Sequence, residues 1–440
     1  MKLNIGNYAS YQDSGISWLG EIPEDWYVTR IKDVGKNGLS NGIFKKKDDF
    51  GFGTKLINVA DLYSDDNFIR YEQLDRVNAN SLETRKYKAI DGDLFFVRSS
   101  LKLEGVGVSA LLKEAEEPTV FECHIIRFRP DSRKVYPEFL KYILNSEKIK
   151  WLLIVSAKTV TMTTISQEKI ASAEFPCPSL FGQQAIVHYL DTKTAQIDRK
   201  IDLLTQKAQR YEELKRSLIN ETVTRGLDKS VPMKDSDNEW DECLPADWDE
   251  KRVKDIFNLI TDTAPANNDF ELLSLYASIG VRPRKEMEQR GNKAITTDGY
   301  WMVKKGDIVV NKLLAWMGAI GLSEYEGVTS PAYDILRKAN NEVDARYYTY
   351  LFRTEKAQAI FKRHSRGIMD VRLRLYFDKF GAITVPSPPK SEQKKIAHYL
   401  DTKTAQIDQI IQTINTQIER QKELRKTLIN DVVTGKIKVA

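Results

Sequence analysis

The eleven residues HYLDTKTAQID occupy positions 188–198 and recur without a change at 398–408, 210 positions later. A generic amphipathic pattern would keep the apolar letters and let the polar ones drift, so identity across the polar letters needs its own cause. Self-similarity over a long period also constrains architecture, because each copy must build the same local structure. The match extends both ways at the same offset. Gln183 and Ile186 correspond to Gln393 and Ile396, Glu213-Leu214 to Glu423-Leu424, and Leu218-Ile219-Asn220 with Val223-Thr224 to Leu428-Ile429-Asn430 with Val433-Thr434.

Fainter echoes lie earlier in each half. WLGEIPEDW at 18–26 resembles WDECLPADW at 240–248, and a basic-apolar stretch follows each. GDLFFV at 92–97 is echoed by GDIVV at 306–310, a turn feeding a buried strand. Between these landmarks the halves diverge. The frame is shared and the filling is not.

The repeated segments read as helix. Ile197, Ile201, Leu204, Ala208, Tyr211, Leu214 and Leu218 recur at spacings of three and four in the first, as do Ile407, Ile411, Ile414, Ile418, Leu424 and Leu428 in the second. Gly226 and Gly435 close the two helices. Such a seam is like that of a coiled coil. It does not require Thr192, Lys193, Thr194 and Gln196 to return unchanged, nor Thr402 and Lys403 to match them, so these polar letters are expected to meet a partner, and the same partner twice.

The variable segments read as α/β. Residues 56–62, 92–99, 106–112 and 123–129 have strand composition, and a helix is expected over about 137–155. The second half repeats this with strands at 271–278 and 306–313 and a helix over about 345–364. Proline-rich exits, Phe175-Pro176-Cys177-Pro178 and Val385-Pro386-Ser387-Pro388-Pro389, end a strand and hand over to the repeated helix. The polar stretch 227–238 reads as the linker. The expected divisions are 1–180, 181–227, 228–390 and 391–440.

Hydrophobic content of 41% in 440 residues supplies real cores, and charged content of 29% is that of an ordinary globular chain. No run of eighteen apolar residues spans a membrane, and MKLNIGNYASYQDSG has no secretory h-region. Cys123, Cys177 and Cys243 are isolated, which points to a reducing cytoplasm rather than a disulfide framework.

Catalytic signatures are missing from the sequence. Of four histidines, His188 and His398 sit at matching helical positions, and Cys123-His124 lacks the further ligands of a zinc site. There is no phosphate-cradling G-x-x-x-x-G-K-[ST] and no G-x-G-x-x-G after a strand. The Asn/Asp-Pro-Pro-aromatic tetrad of an amino-methyltransferase is absent too, since Pro388-Pro389 is flanked by Ser387 and Lys390. A chain without its own covalent chemistry is expected, and no metal site or bound cofactor.

Basic residues do cluster, and the net charge is +5. The richest stretch holds Lys362, Arg363, His364 and Arg366 and leads to Arg372 and Arg374, with Tyr376 and Phe377 alongside. Its counterpart, with Lys158, Thr159, Thr161 and Thr163, is poorer in charge and richer in hydroxyls. Further candidates are Lys45-Lys46-Lys47, the turn Arg98-Ser99-Ser100-Leu101-Lys102, and Lys312 with Trp316 after the equivalent strand. Long cations with hydroxyl and aromatic neighbours suit phosphate contact and groove reading.

The landmarks together resemble the specificity (S) subunit of type I restriction–modification systems, across the whole chain. The resemblance is carried by W-L-G-x-I-P-x-x-W at 18–26, the Gly-Asp strands and the proline exits. It extends to the helix starts at 183–190 and 392–400 and the S/T-L-I-N-x-x-V-T endings at 217–224 and 427–434. Phe181-Gly182-Gln183-Gln184 departs from the usual Glu-Gln start. The resemblance implies two α/β target-recognition domains alternating with two long helices that pack as an antiparallel coiled coil, an internal repeat with a pseudo-two-fold. Each domain would read one half of a bipartite, asymmetric double-stranded DNA target. The helices would dock two copies of a methyltransferase subunit, with a restriction subunit completing the complex. S-adenosylmethionine would belong to the methyltransferase subunit, and ATP and Mg to the nuclease subunit. As a ruler, close to thirty residues from about Gln196 to Thr224 would span roughly 43 Å, against about 34–36 Å for one DNA turn. The rival readings are a self-contained DNA methyltransferase or endonuclease, and a scaffold that binds only proteins.

Overall fold

The computed structural model describes residues 6–159, 162–276, 279–286, 296–367 and 373–439. Two compact units form: Met1–Leu204 with Thr416–Ala440, and Thr205–Asn415. Each long helix therefore contributes one part to each unit.

The first unit is built on five strands in the order Ser40–Asn41, Ile125–Phe128, Leu94–Val97, Ser109–Leu112, Phe68–Ile69. Its middle strand is apolar at every position because both faces are covered. Leu94 and Phe96 enter one core with Leu111, Ile126 and Phe128, whereas Phe95 and Val97 enter another with Ala110, Leu112 and Ile125. The Gly-Asp turn feeding that strand is held by charge. Gly92 takes φ +84°, and buried Asp93 receives two hydrogen bonds of 2.7 Å from Arg129. In the second unit Gly306 has φ +91° and Asp307 receives Arg337 at 2.9 and 2.7 Å. The strands there run Phe257–Ile260, Tyr333–Lys338, Ile308–Asn311, Ile320–Leu322.

Some expectations change. Residues 56–62 are not one strand: Phe50–Ile57 is extended, and Val59–Leu62 is a 3-10 turn set by a capping box, in which the Asn58 N–H donates to Asp61 Oδ2 at 2.7 Å. Each expected long helix of the variable regions is two helices. Pro137–Leu144 stops where the Asn145 amide donates to Ser109 O at 2.9 Å, and Glu147–Val155 follows. Ala345–Phe352 and Glu355–His364 are separated by Thr354, whose Oγ1 caps the second at Ala357 N (3.1 Å). The stretch 227–238 is more than a linker, because Met233–Asp235 forms a hairpin with Cys243–Pro245. Tyr11–Asp13 pairs with Glu21–Pro23 in the same way.

The proline exits are strands. Glu174–Cys177 pairs with Tyr27–Arg30, and Thr384–Ser387 with Asp249–Arg252. Each leads into a long helix: Leu180–Arg225 with 46 residues and Lys390–Val433 with 44. These reach about 69 and 66 Å at 1.5 Å per residue, and the roughly 43 Å from Gln196 to Thr224 is the later part of the first, because the helix-start motifs are themselves helical. The recurring glutamine explains why. Buried Gln183 accepts from Tyr136 N at 2.7 Å and donates to Pro178 O at 2.9 Å, and Gln393 does the same with Asp344 N and Pro388 O, both at 2.8 Å.

At the far ends Gly226 and Gly435 adopt φ +75° and +80°, the left-handed closure that glycine accepts without penalty. A Cβ on Gly226 would meet Glu392 and Trp248, and one on Gly435 would meet Pro23 and Trp26. The tryptophan-proline frame motif is thus the platform on which a long helix ends.

The helix stripe differs from expectation at one step in each copy. Ile197, Ile407, Ile414 and Ile418 are buried, and Ile201, Leu204 and Ile411 partly so. Leu214 and Leu424 are 52% and 50% exposed, and the neighbouring Lys215 and Arg425 turn inward instead. Spacings alternate four and three from Ile197 to Tyr211, so the seven-residue period demands position 215, not 214. The polar occupants are paired: Lys215 Nζ lies 2.6 Å from Asp408 Oδ1, and Arg425 Nε 3.1 Å from Asp198 Oδ1, the latter an ion pair without hydrogen-bond alignment. The helices run antiparallel.

Thr194, expected to face a partner, and its counterpart Thr404 are buried and bond their own helix at Leu190 O and Leu400 O, at 2.8 and 2.7 Å. Beside them the Tyr142 hydroxyl donates to Asp191 at 2.6 Å and the Tyr350 hydroxyl to Asp401 at 2.8 Å. Part of the eleven-residue identity therefore serves each unit's own packing. His188, Thr192 and Gln196 remain exposed, as do His398, Thr402, Lys403 and Gln406, and Lys193 is partly so.

Candidate nucleic-acid interface

In the first unit, two stretches far apart in sequence become one surface. Lys158–Thr159, Thr163–Thr164 and Ser99–Ser100 form a small antiparallel sheet in that order. It is anchored by Ile165 N donating to Arg98 O at 3.0 Å and Arg98 N donating to His124 O at 2.8 Å. The Ser99 and Thr164 hydroxyls are 3.2 Å apart. Thr163, on the central strand of that sheet, is buried, and Thr161 lies outside the described residues. Two hollows adjoin, sharing Met162. One of about 910 Å³ contains Arg98, Lys158 and Lys169, and the other, of about 710 Å³, Lys102, His124 and Lys150.

None of the five cations Arg98, Lys102, Lys150, Lys158 and Lys169 pairs with a carboxylate among the described residues; Arg98 reaches only the Cys123 carbonyl, at 3.4 Å. A group of unpaired cations around hydroxyl-bearing strands is the charge pattern that attracts phosphates. Lys150 and Lys169 carry no local sequence signal. They reach the site only because the helix Glu147–Val155 and the short helix Gln167–Ala171 pack beside it.

The second unit repeats the backbone junction with other side chains. Leu375 N donates to Lys312 O at 2.9 Å, and Arg366 and Arg374 exchange both backbone hydrogen bonds, each 2.9 Å. Lys312 thus stands where Arg98 stands. The cations, however, are engaged. Arg363 and His364 share Glu239 at 2.5 and 2.6 Å, and Arg366 reaches Asp378 at 3.3 Å. Lys312 lies 3.4 Å from Asp334, whose carboxyl is pushed up by burial against the pull of that lysine. The Arg374 guanidinium donates to the Tyr376 hydroxyl at 3.4 Å. Partly buried Trp316 donates to Leu313 O at 3.0 Å and lies under Lys362, 5.3 Å from ring centroid to ammonium. Arg372 lies outside the described residues. The segment richest in charge is therefore the one more fully neutralised within the fold.

Lys45 is tied to Glu83 at 2.8 Å, exposed Lys46 precedes the turn Lys47–Asp49 and exposed Lys47 opens it; none of the three lines either hollow. Among the described residues, no cluster of His, Cys, Asp and Glu could hold a metal ion, and no helix is long and apolar enough to cross a membrane.

The type I restriction modification DNA specificity domain matches residues 23–213 and again 245–420. The chain belongs to that family. It is 23% identical over 439 residues to a putative type I restriction enzyme MjaX specificity subunit of Methanocaldococcus jannaschii, covering 96% of both chains. Over 183 residues, 38% of each chain, it is 27% identical to the EcoKI specificity subunit of Escherichia coli. The fold is similar to that of a chain from a structural study of assembly and conformational transition in the type I R-M system, with TM-score 0.69 and 15% identity over 94% of this chain and 98% of that one. It is also similar to the HsdS subunit from Thermoanaerobacter tengcongensis, with TM-score 0.56, 15% identity and the same coverages.

Proposed function

We propose that each unit of this specificity subunit reads one half of a split, asymmetric duplex target. The chain is the DNA-recognition component of a type I restriction–modification system, with DNA, methyltransferase and restriction subunits as its partners. One observation carries the reading. The backbone junction at Arg98 and Ile165 recurs at Lys312 and Leu375, while the side chains displayed around it differ. A common frame with different groups suits two halves of one target that differ in sequence.

In the first unit Arg98, Ser99, Lys102 and Lys158 face the duplex, and in the second Lys312, Trp316, Arg363, His364, Arg366 and Arg374. The exposed part of the repeat, with Thr192, Lys193, Thr402 and Lys403, docks two methyltransferase subunits, because identical partners need identical surfaces. The long helices set the unread gap. The chain itself is non-catalytic: S-adenosylmethionine belongs to the methyltransferase subunit, and ATP and Mg to the nuclease subunit.

Modified-base mapping of a host genome tests this, with the chain co-expressed beside its methyltransferase subunit and a control lacking the chain. The expected result is one bipartite motif of fixed gap, seen only when the chain is present. Methylation without the partner would mean that this chain carries an active site. A soluble complex with an active methyltransferase and no motif would favour a protein scaffold.

A further inference from the structure

The turn between the first unit's hydroxyl strand and its core displays the most exposed large apolar side chain among the described residues, Leu101, at 84%. Single exposed leucines are common and need no explanation. This one differs in its support and its surroundings. Lys102 N donates to Ser100 Oγ at 3.2 Å, Gly105 N donates to Lys102 O at 3.1 Å, and the Tyr63 hydroxyl donates to Gly105 O at 3.2 Å. A side chain on Gly105 would collide with Ser100 and Tyr63. The turn is thus packed on itself and holds Leu101 out on a rigid base, which keeps the ordering cost of a contact low. Leu103, half exposed, stands beside it. On either side are the unpaired cations Arg98 and Lys102. In the second unit, the turn after the equivalent strand also exposes aliphatic groups, Leu313, Leu314 and Met317, although its other residues have diverged.

We propose that Leu101 is a base-reading contact of the first unit, and that it recognises the C5-methyl group of a thymine in the first half-site. This rests on the DNA-reading function proposed above. An aliphatic side chain can neither bond a phosphate nor satisfy a base-edge donor or acceptor. What it matches in the major groove is the thymine methyl. The turn projects from the edge strand Ser99–Ser100 of the small three-stranded sheet, so its tip can enter a groove without the whole sheet having to fit there. Insertion of Leu101 between base steps from the minor groove is the competing mode, and the experiment separates the two.

The complete chain is assembled with its methyltransferase subunit, and equilibrium binding is measured on duplexes of the mapped target. In these, each thymine of the first half-site is replaced in turn by deoxyuridine, which removes only the methyl group. One position is expected to weaken binding about fourfold, the factor expected for one buried methyl. Leu101→Ala is expected to weaken the thymine duplex by at least as much and to abolish the deoxyuridine penalty at that position. A wild-type complex indifferent to deoxyuridine at every thymine of the half-site overturns the proposal. So does a Leu101→Ala complex that keeps the full penalty, as base-step insertion would. Lys102→Ala and Lys158→Ala, run in parallel, separate the two levels. If they weaken binding while the methyl arm is silent, only the Leu101 assignment fails. If they too leave binding unchanged, the interface reading fails.

Discussion

Lys215 Nζ lies 2.6 Å from Asp408 Oδ1, and 210 positions from each residue stand Arg425 and Asp198, also paired. The two ion pairs occupy the stripe on which the long helices meet, at the step where leucine was the obvious candidate. Partly exposed pairs of this kind add little stability. Their geometric effect is larger, because a charged residue on the stripe tolerates few alternative registers.

Leu214→Ala is accordingly expected to change stability by less than about 0.5 kcal/mol, as for other surface sites. Ile414→Ala, at a buried position of the same stripe, should cost roughly 2–4 kcal/mol. Denaturant unfolding of the two variants decides the register. Equal losses would return Leu214 to the seam.

Lys141 gives a pH prediction. It is 3% exposed, with its ammonium 3.9 Å from the Phe68 ring centroid and 4.2 Å from that of Tyr142. Burial lowers its pKa to about 8. Between that value and the ordinary one for lysine, the unfolded chain binds a proton that the folded chain does not, so stability falls as pH drops through this window and is constant below it. The two ring faces offset part of the desolvation. Lys141→Met should raise stability at pH 7 by about 1–3 kcal/mol and flatten the dependence between pH 8 and 10. An unchanged slope in a thermal-unfolding series would show that the ammonium is not the cause.

The two half-sites should differ in their response to salt. Lys102→Ala and Lys158→Ala remove unpaired cations, and each should lower the slope of log K against log salt by about one. Arg363→Ala should lower it less, because that guanidinium is already neutralised by Glu239. Binding titrations from low to moderate salt provide the slopes, and equal slopes for all three variants would count against the asymmetry.

Arg366→Ala should weaken or relax recognition of the second half-site alone, measured on duplexes altered in one half at a time. Loss at both halves would point to a general folding defect.

Insertion of four residues near Ala208 together with four near Ile418 should lengthen the unread gap in the methylated motif, because both helices are continuous there. Motif mapping reads the gap directly, and an unchanged gap would remove the helices from its control.

Much of this architecture was legible in the chain itself. The repeat announced two matched helices, the Gly-Asp turns announced buried strands, and the proline exits marked where strand passes to helix, because turn chemistry and hydrophobic period act over a few residues. The domain-level family resemblance was carried by the same local landmarks. What needed the tertiary structure is of another kind. Nothing near Ser99 in sequence says that it lies beside Thr164, 65 residues on. Nor does the stretch around Arg363 say that Glu239, 124 residues earlier, neutralises it. The seven-residue period already places Lys215 rather than Leu214 on the stripe, but that an Asp of the other helix neutralises it there is visible only in the packed chain. Local pattern determines which elements form and which face turns inward. Which cations stay free for a ligand depends on where distant carboxylates come to rest, and only the packed chain decides that.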